Sequence, residues 1–283
     1  NLQSFKPGAT IFKAGKKHTI GDPLRDLSLL FSTLTSGIGT FTDKLKILKL
    51  SSRLKKKSIT AIFSAEETTT LNYLHSQGFS SEIILNFFKP FFSGIFLEPD
   101  LETSSRMFEF VYKMFGEGRA VLPKGGIGDI PNQLKSQLGT TRFVFNSEVT
   151  EVNDDHIMLS DGKRLETHFT IIATDAGAVV SNLKDNTQWK SCETIYFTTK
   201  LRHLDSPLIG LIADENALIN NIFFHNTLDT NRKGDGELLS VTVVKAHNLE
   251  EKALIAQAQL ELAQYCNIDD TVFLKYYSIY KES

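Results

Sequence analysis

The sequence predicts an α+β fold, with helices packed on a mixed or antiparallel sheet. Three observations carry that prediction. Apolar residues recur at helical spacing between residues 42 and 115. After residue 118 the pattern changes to a Gly-rich turn, one helix and short strands split by tight turns. From 186 to 245 the segments ETIYFTTKL, PLIGLIA, NNIFFHNTL and LLSVTVVKA carry the β-branched and aromatic enrichment of strands.

In chain order, Phe5–Ile20 reads as a hairpin about Ala14-Gly15-Lys16-Lys17. Residues 22–39 read as a weakly apolar helix. Thr42 is placed to cap a helix through Lys57, with Asp43 in its first turn and lysines near its C-terminus, where the dipole favours cations. Ser64-Ala65-Glu66-Glu67 has the spacing of a capping box, and Gly78 falls where that helix should stop. A further helix starts near Ser80, and Pro90 should kink or end it. Another runs from about Glu102 to Phe115.

Beyond 118, a turn at Pro123–Gly128 feeds a helix that stops at Gly139. Strands are expected in TRFVFNSEVTEV, HIMLS and RLETHFTIIATDA, with Asp161-Gly162 as a hairpin turn. Residues 248–266 form an amphipathic helix with Asn248 as its cap, and VFLKYYSIY is a last strand.

Composition removes several classes. The 283 residues are 41% hydrophobic and 23% charged, enough for a sizeable core and unlike a disordered chain. Cys192 and Cys266 make no disulfide framework, so a reducing, cytoplasmic compartment is expected. No apolar run reaches the length of a membrane-spanning helix. The seven histidines contain no i, i+4 pair, so no metal site is expected. No Walker A, Gly-x-Ser-x-Gly or Gly-x-Gly-x-x-Gly occurs. Basic residues are not interleaved with aromatics, so no nucleic-acid partner is expected.

The net charge of -2 hides an asymmetry: residues 1–57 carry +9 and the remainder carries -11. The helix at 42–57 is therefore the candidate for a peripheral membrane contact, weighed against an ordinary solvated basic face. Eight of the 21 Phe fall between 87 and 115. Such density fills a core or lines an apolar cavity, and Phe87, Phe88, Phe91, Phe92 and Phe96 are the candidate cavity residues. The glycines of Pro123-Lys124-Gly125-Gly126-Ile127-Gly128 precede a helix, where backbone can approach an anion closely; a plain turn explains them equally well.

Taken in order, FFKPFFSGIFLEPDLETSSRMF, LPKGGIGDIPNQL, FNSEVTEV, DG and FTIIATDA resemble the flavin-dependent amine oxidoreductase superfamily. Phytoene desaturases, protoporphyrinogen oxidases and monoamine oxidases belong to it. The likeness covers residues 1 to about 245. It implies FAD as cofactor, an apolar small-molecule substrate and hydride transfer to flavin. By the same likeness, Glu148-Val149 match the adenine-contacting strand, Ala173-Thr174 the strand end beside the cofactor, and Gly125-Gly126 the turn before a helix.

The likeness divides the chain into residues 1–120 and 186–283, a substrate-binding domain in two parts, and 121–185, an incomplete piece of an FAD-binding domain. The family's N-terminal Rossmann motif and C-terminal FAD motif have no counterpart here. The chain also opens at Asn1 rather than Met, so a processed or internal fragment is expected, one that binds FAD weakly or not at all by itself. Several amine-oxidising members carry a lysine near flavin N5 on the first strand after Ala-Thr. Here that strand reads CETIYFTT, Thr194 or a neighbour takes the position, and Lys200 falls too late. Desaturase-like dehydrogenation is therefore favoured over amine oxidation. The competing function is a non-catalytic binding or membrane-interaction module that reuses the fold without flavin. A Gly-x-Gly-x-x-Gly encoded upstream of Asn1 would favour the enzyme.

Overall fold

The computed structural model describes residues 1–21, 33, 35–183, 189–231 and 234–279. The helix expected over 22–39 lies mostly outside the described residues. The chain forms two compact units, one of residues 1–129 and 190–283 and one of residues 130–189.

The larger unit is built on a mixed seven-stranded sheet. Its strands are β2 (Gly8–Lys13), β3 (Lys16–Gly21), β8 (Cys192–Thr199), β9 (Ile209–Ile212), β10 (Ile219–Phe224), β11 (Glu237–Val243) and β12 (Val272–Ile279). They are ordered β12-β8-β11-β10-β9-β2-β3. Only β2 and β9 run parallel; the other neighbours are antiparallel. A separate pair joins β1 (Leu2–Ser4) to β4 (Val121–Pro123). The α+β class is thus as expected. The β2–β3 turn also sits where expected, at Ala14-Gly15, with φ of 50° and 70°, the left-handed pair a two-residue hairpin requires.

One sheet face buries Phe12, Ile195, Phe197, Ile222 and Val241 against a long C-terminal helix, Glu251–Cys266. Glu250, not Asn248, stands at the cap position of that helix, and no side chain caps it there. Its buried Glu261 instead accepts from the amides of Leu218 and Ile219 at 2.8 and 2.9 Å, which fixes the helix to the irregular start of β10.

On the opposite face, Ala9, Ile11 and Leu211 pack under a helical layer. That layer is α1 (Phe41–Lys56), α2 (Ile59–Phe63), α3 (Thr70–Ser76), α4 (Ser81–Ile83), α5 (Lys89–Phe96) and α6 (Ser105–Glu117). Thr40, not Thr42, caps α1, because only Thr40 puts Asp43 at the third helical position for a reciprocal capping box. Thr69, not Ser64, caps α3. There a bridge between Thr69 and Ser104, with the Thr68 amide donating to Ser105 Oγ at 3.2 Å, overrides the local capping-box pattern.

Ser80 caps α4 as expected. Pro90 does not end the helical segment. Residues Ile84–Phe88 form a π-helical turn that runs directly into α5, with Pro90 in the first turn of α5.

Asp43 holds these pieces together. It is fully buried, and its carboxylate accepts from the Thr40 amide and hydroxyl at 2.9 and 2.6 Å. It also accepts from the Ser80 amide and hydroxyl at 2.9 and 2.6 Å. One carboxylate therefore ties the start of α1 to the start of α4. At the other end of α1, the buried Lys113 ammonium donates to the carbonyls of Leu54 and Lys55 at 2.9 and 3.0 Å. That satisfies end groups a helix otherwise leaves bare.

The smaller unit holds the meander β5 (Val149–Val152), β6 (His156–Leu159) and β7 (Arg164–Glu166). The hairpin turn lies at Asp161-Gly162 as expected, with Gly162 at φ 82°. The helix α7 (Asp129–Gln137) begins at the boundary between the two units. The strands expected around 141–145 and 169–174 are not formed. Their composition suits a strand, but a strand also needs a neighbour, and none of the described strands pairs with them. Phe169 and Ile171 stand 94% and 92% exposed.

Burial alone would raise the Asp43 carboxyl; the hydrogen bonds from Ser80 and Thr40 outweigh it and hold the group down, from 3.8 to about 2. A folded-state value below the ordinary one stabilises above the ordinary value and stops doing so as acid protonates the native carboxylate. Asp43→Ala is expected to cost about 2–4 kcal/mol in urea melts at neutral pH, because two caps and a buried network go together. The gap between native protein and Asp43→Asn should narrow as pH falls from 3.8 through about 2.

Candidate functional site

A cavity of about 690 Å3 lies inside the larger unit, within the size range of small-molecule pockets. Three helical walls and the sheet line it, and it is open to one side. The first wall is one face of α1: Lys44, Ile47, Leu48 and Ser51, the i, i+3, i+4, i+7 stripe of a helix. The second runs from Ile83 through the π-helical turn into α5 and presents Phe87, Phe91 and Ile95. Phe87 and Phe91 stack with centroids 5.7 Å apart. The third comes from α6 through Tyr112 and Phe115.

The sheet supplies the polar part of the lining. Thr194 of β8 is in register with Thr242 of β11, and Thr242 with Asn221 of β10. Side chains directly opposite in a ladder share a face, so the three form one polar row, and all three line the cavity with Cys192 and Phe223. Gly94 allows α5 to approach this sheet closely: a Cβ there would lie 2.9 Å from the amide nitrogens of both Asn220 and Asn221. The Asn220 side chain anchors the same approach by donating to the Pro90 carbonyl at 3.0 Å. Burial, with the neighbouring Glu193 carboxylate, raises the Cys192 thiol, the direction opposite to that of an activated cysteine.

Of the five candidate cavity phenylalanines, Phe87, Phe91 and Phe92 line the space. Phe88 does not; it is buried in the helical core, 5.0 Å from Phe79 and 6.1 Å from Phe108 between ring centroids. Phe96 packs on Phe92 at 5.4 Å, outside the lining. Lys200 lies at the exposed end of β8, its amide bound to Asp270, and is not in the lining. Helical spacing marked Ile47 and Leu48 as apolar positions of α1, but not Lys44 or Ser51 as members of the cavity face. The Thr194–Thr242–Asn221 row was not, because it depends on the register of three strands.

The six residues matched to cofactor contacts divide. The Gly125 amide donates to the Asp129 carboxylate at 3.1 Å, and a Cβ at Gly125 would meet that carboxylate at 2.3 Å. The Gly126 amide donates to the Pro123 carbonyl at 2.9 Å. Both amides are thus spent inside the turn, which does not fit an anion cradle. Glu148, Ala173 and Thr174 are exposed in the smaller unit, and Val149 is half-buried at the start of β5. The Glu148 carbonyl accepts from the Ser160 amide at 3.0 Å, and Val149 is paired with Leu159 in the β5–β6 ladder.

Residues 3–275 match the family model of the flavin containing amine oxidoreductases, and the chain belongs to that family. No curated protein matches it in sequence. Among solved structures it is similar to an oxidoreductase from Methanosarcina mazei, at 14% identity and a TM-score of 0.72 over 98% of this chain and 69% of that one. It is similar to cyclohexylamine oxidase from Brevibacterium oxydans, at 12% identity and 0.61 over 99% and 68%. It is also similar to a RAB GDI from Plasmodium falciparum, at 14% identity and 0.56 over 99% and 68%. At such identities the likeness is one of fold, and a fold shared this widely does not set the reaction.

Thr194→Trp should fill the cavity from its half-buried sheet side. The native protein is expected to bind the neutral dye Nile red with enhanced fluorescence. The variant should bind it at least about tenfold more weakly, a loss of about 1.4 kcal/mol, with a similar thermal midpoint.

Proposed function

We propose that this chain provides the substrate-binding region of an FAD-dependent oxidoreductase that dehydrogenates an apolar small molecule. The observation that carries the reading is the apolar cavity, open on one side, with a short polar row on its sheet side. The larger unit is then the substrate domain and the smaller unit part of the FAD-binding domain. Glu148, Val149, Ala173 and Thr174 would hold the cofactor, which supplies the hydride acceptor when bound. The chain's own residues bind and orient the substrate. The aromatic walls exclude water, and Thr194, Thr242 and Asn221 offer hydrogen bonds to a polar substituent. Thr194 rather than lysine on β8 favours desaturase-like chemistry over amine oxidation.

A peripheral membrane contact through α1 belongs to the same proposal, as a route by which a lipid-soluble substrate could reach the cavity. No described helix is long and apolar enough to cross a membrane. Phe41 and Leu45 are 64% and 52% exposed, Leu48 is exposed beside them, and Lys49, Lys55 and Lys56 are exposed on the same helix. Apolar side chains beside cations suit an anionic bilayer surface. Lys57 is taken by an ion pair with Glu109. The protein should float with vesicles rich in anionic lipid at low salt. Replacing Lys49, Lys55 and Lys56 with Glu should release it, at about 1 kcal/mol lost per lysine. Unchanged flotation would remove the membrane role.

A second reading, a non-catalytic module on the same fold, is favoured by one observation: the Gly125 and Gly126 amides are spent inside their turn. Flavin content separates the two. Protein expressed from its complete coding sequence should retain FAD at stoichiometric level, with bleaching of the flavin absorbance when an apolar substrate is added without oxygen. Colourless protein that takes up no added FAD would favour the second reading.

A further inference from the structure

On the reading that this cavity holds the substrate, we propose that Thr194 and Thr242 together grip one carbonyl oxygen, so that the substrate is an apolar ketone rather than a plain hydrocarbon. The two threonines stand directly opposite each other on β8 and β11, and Asn221 of β10 follows Thr242 in the same row. All three line the cavity. Among the described residues none makes a hydrogen bond to any of these three side chains. The polar groups beside them are already spent: Asn220 donates to the Pro90 carbonyl at 3.0 Å, and Ser240 Oγ is paired with His225 Nε2 at 2.9 Å.

A threonine hydroxyl carries one hydrogen to donate, and the row holds two such hydrogens without an acceptor in the described wall. Residues directly opposite in a ladder hold their Cβ atoms about 4.5–5.5 Å apart. An O–H···O bond is about 2.7–2.8 Å long. One oxygen placed between the two hydroxyls therefore reaches both. A carbonyl oxygen has the two lone pairs for this and no hydrogen of its own to place. A hydrocarbon in the same position would bury both donors unpaired, which costs more than a made bond returns. A ligand hydroxyl would bring a further hydrogen into a row that already has two to place. The choice does not turn on charge. The row is neutral, and so are its strand neighbours on this face, Tyr277, Tyr196, Ser240 and Phe223.

Three uncharged probes on one ring system test this: acetylnaphthalene, its hydrocarbon counterpart isopropenylnaphthalene, and naphthylethanol, all substituted at the same ring carbon. Each is measured by displacement of Nile red from the full chain, with circular dichroism confirming that every variant is folded. Thr194→Val and Thr242→Val should each weaken the ketone about fivefold, the worth of one hydrogen bond, and leave the hydrocarbon unchanged. Thr194→Ser and Thr242→Ser, which keep the hydroxyl, should retain the ketone. In infrared spectra the carbonyl stretch of the bound ketone should lie below its value in hexane, and each substitution to valine should move it part of the way back. Equal losses for ketone and hydrocarbon, no loss in either valine substitution, or a carbonyl stretch that neither one moves would overturn the threonine pair and leave the cavity reading intact. An alcohol that loses more affinity than the ketone would overturn the choice of a carbonyl. Failure of Nile red and of all three probes to bind the native protein would overturn the cavity reading itself, and the threonine pair with it.

Discussion

The buried carboxylate of Asp43 is the constraint on which the helical layer depends. It completes the capping box at Thr40 and accepts the amide and hydroxyl of Ser80, so it fixes two helix starts at once. Those starts lead into α1 and into the α4–π–α5 segment, which are two of the cavity walls. Four hydrogen bonds repay the desolvation of one buried charge, and the depressed Asp43 value records that balance. Were the carboxylate lost, Thr40 and Ser80 could still cap their own helices, but the link between the two helix starts would go.

With those walls fixed, the cavity arises from how the sheet is shared. The C-terminal helix covers one face fully, and the apolar residues of β8, β10 and β11 go there. On the other face the helical layer packs on β2 and β9 through Ala9, Ile11 and Leu211, and α5 comes close to β10 where Gly94 faces Asn220 and Asn221. The cavity lies beside this contact, with Thr194, Thr242 and Asn221 in its lining. The π-helical turn adds one residue to the local ring and carries Pro90 in without a break.

Much of this was legible in the chain. β-Branched and aromatic residues in ETIYFTTKL marked β8, the Ala14-Gly15 turn marked the first hairpin, and the Phe-rich segment marked a core or cavity wall, of which it forms both. What was misread came from contacts distant in sequence. Thr40 rather than Thr42 caps α1, and Thr69 rather than Ser64 caps α3, because Ser80 and Ser105 decide those positions. Phe88 and Phe91 look alike in sequence, yet Phe91 faces the cavity one turn on from Phe87 while Phe88, on the neighbouring face, fills the core. The apolar runs at 141–145 and 169–174 have strand composition without strand partners. The Gly125-Gly126 turn shows that glycines before a helix need not leave their amides open, since Asp129 reaches back to take one.

The central claim is that a persistent apolar space lies between α1, α5 and the sheet. A crystal structure of the protein pressurised with xenon tests it most directly, because xenon enters preformed apolar cavities and not packed cores. Ordered xenon is expected against Ile47, Phe87 and Phe91, with the Thr194–Thr242–Asn221 row on the sheet side. Phe87 and Phe91 packed against α1, with no xenon between them, would contradict it.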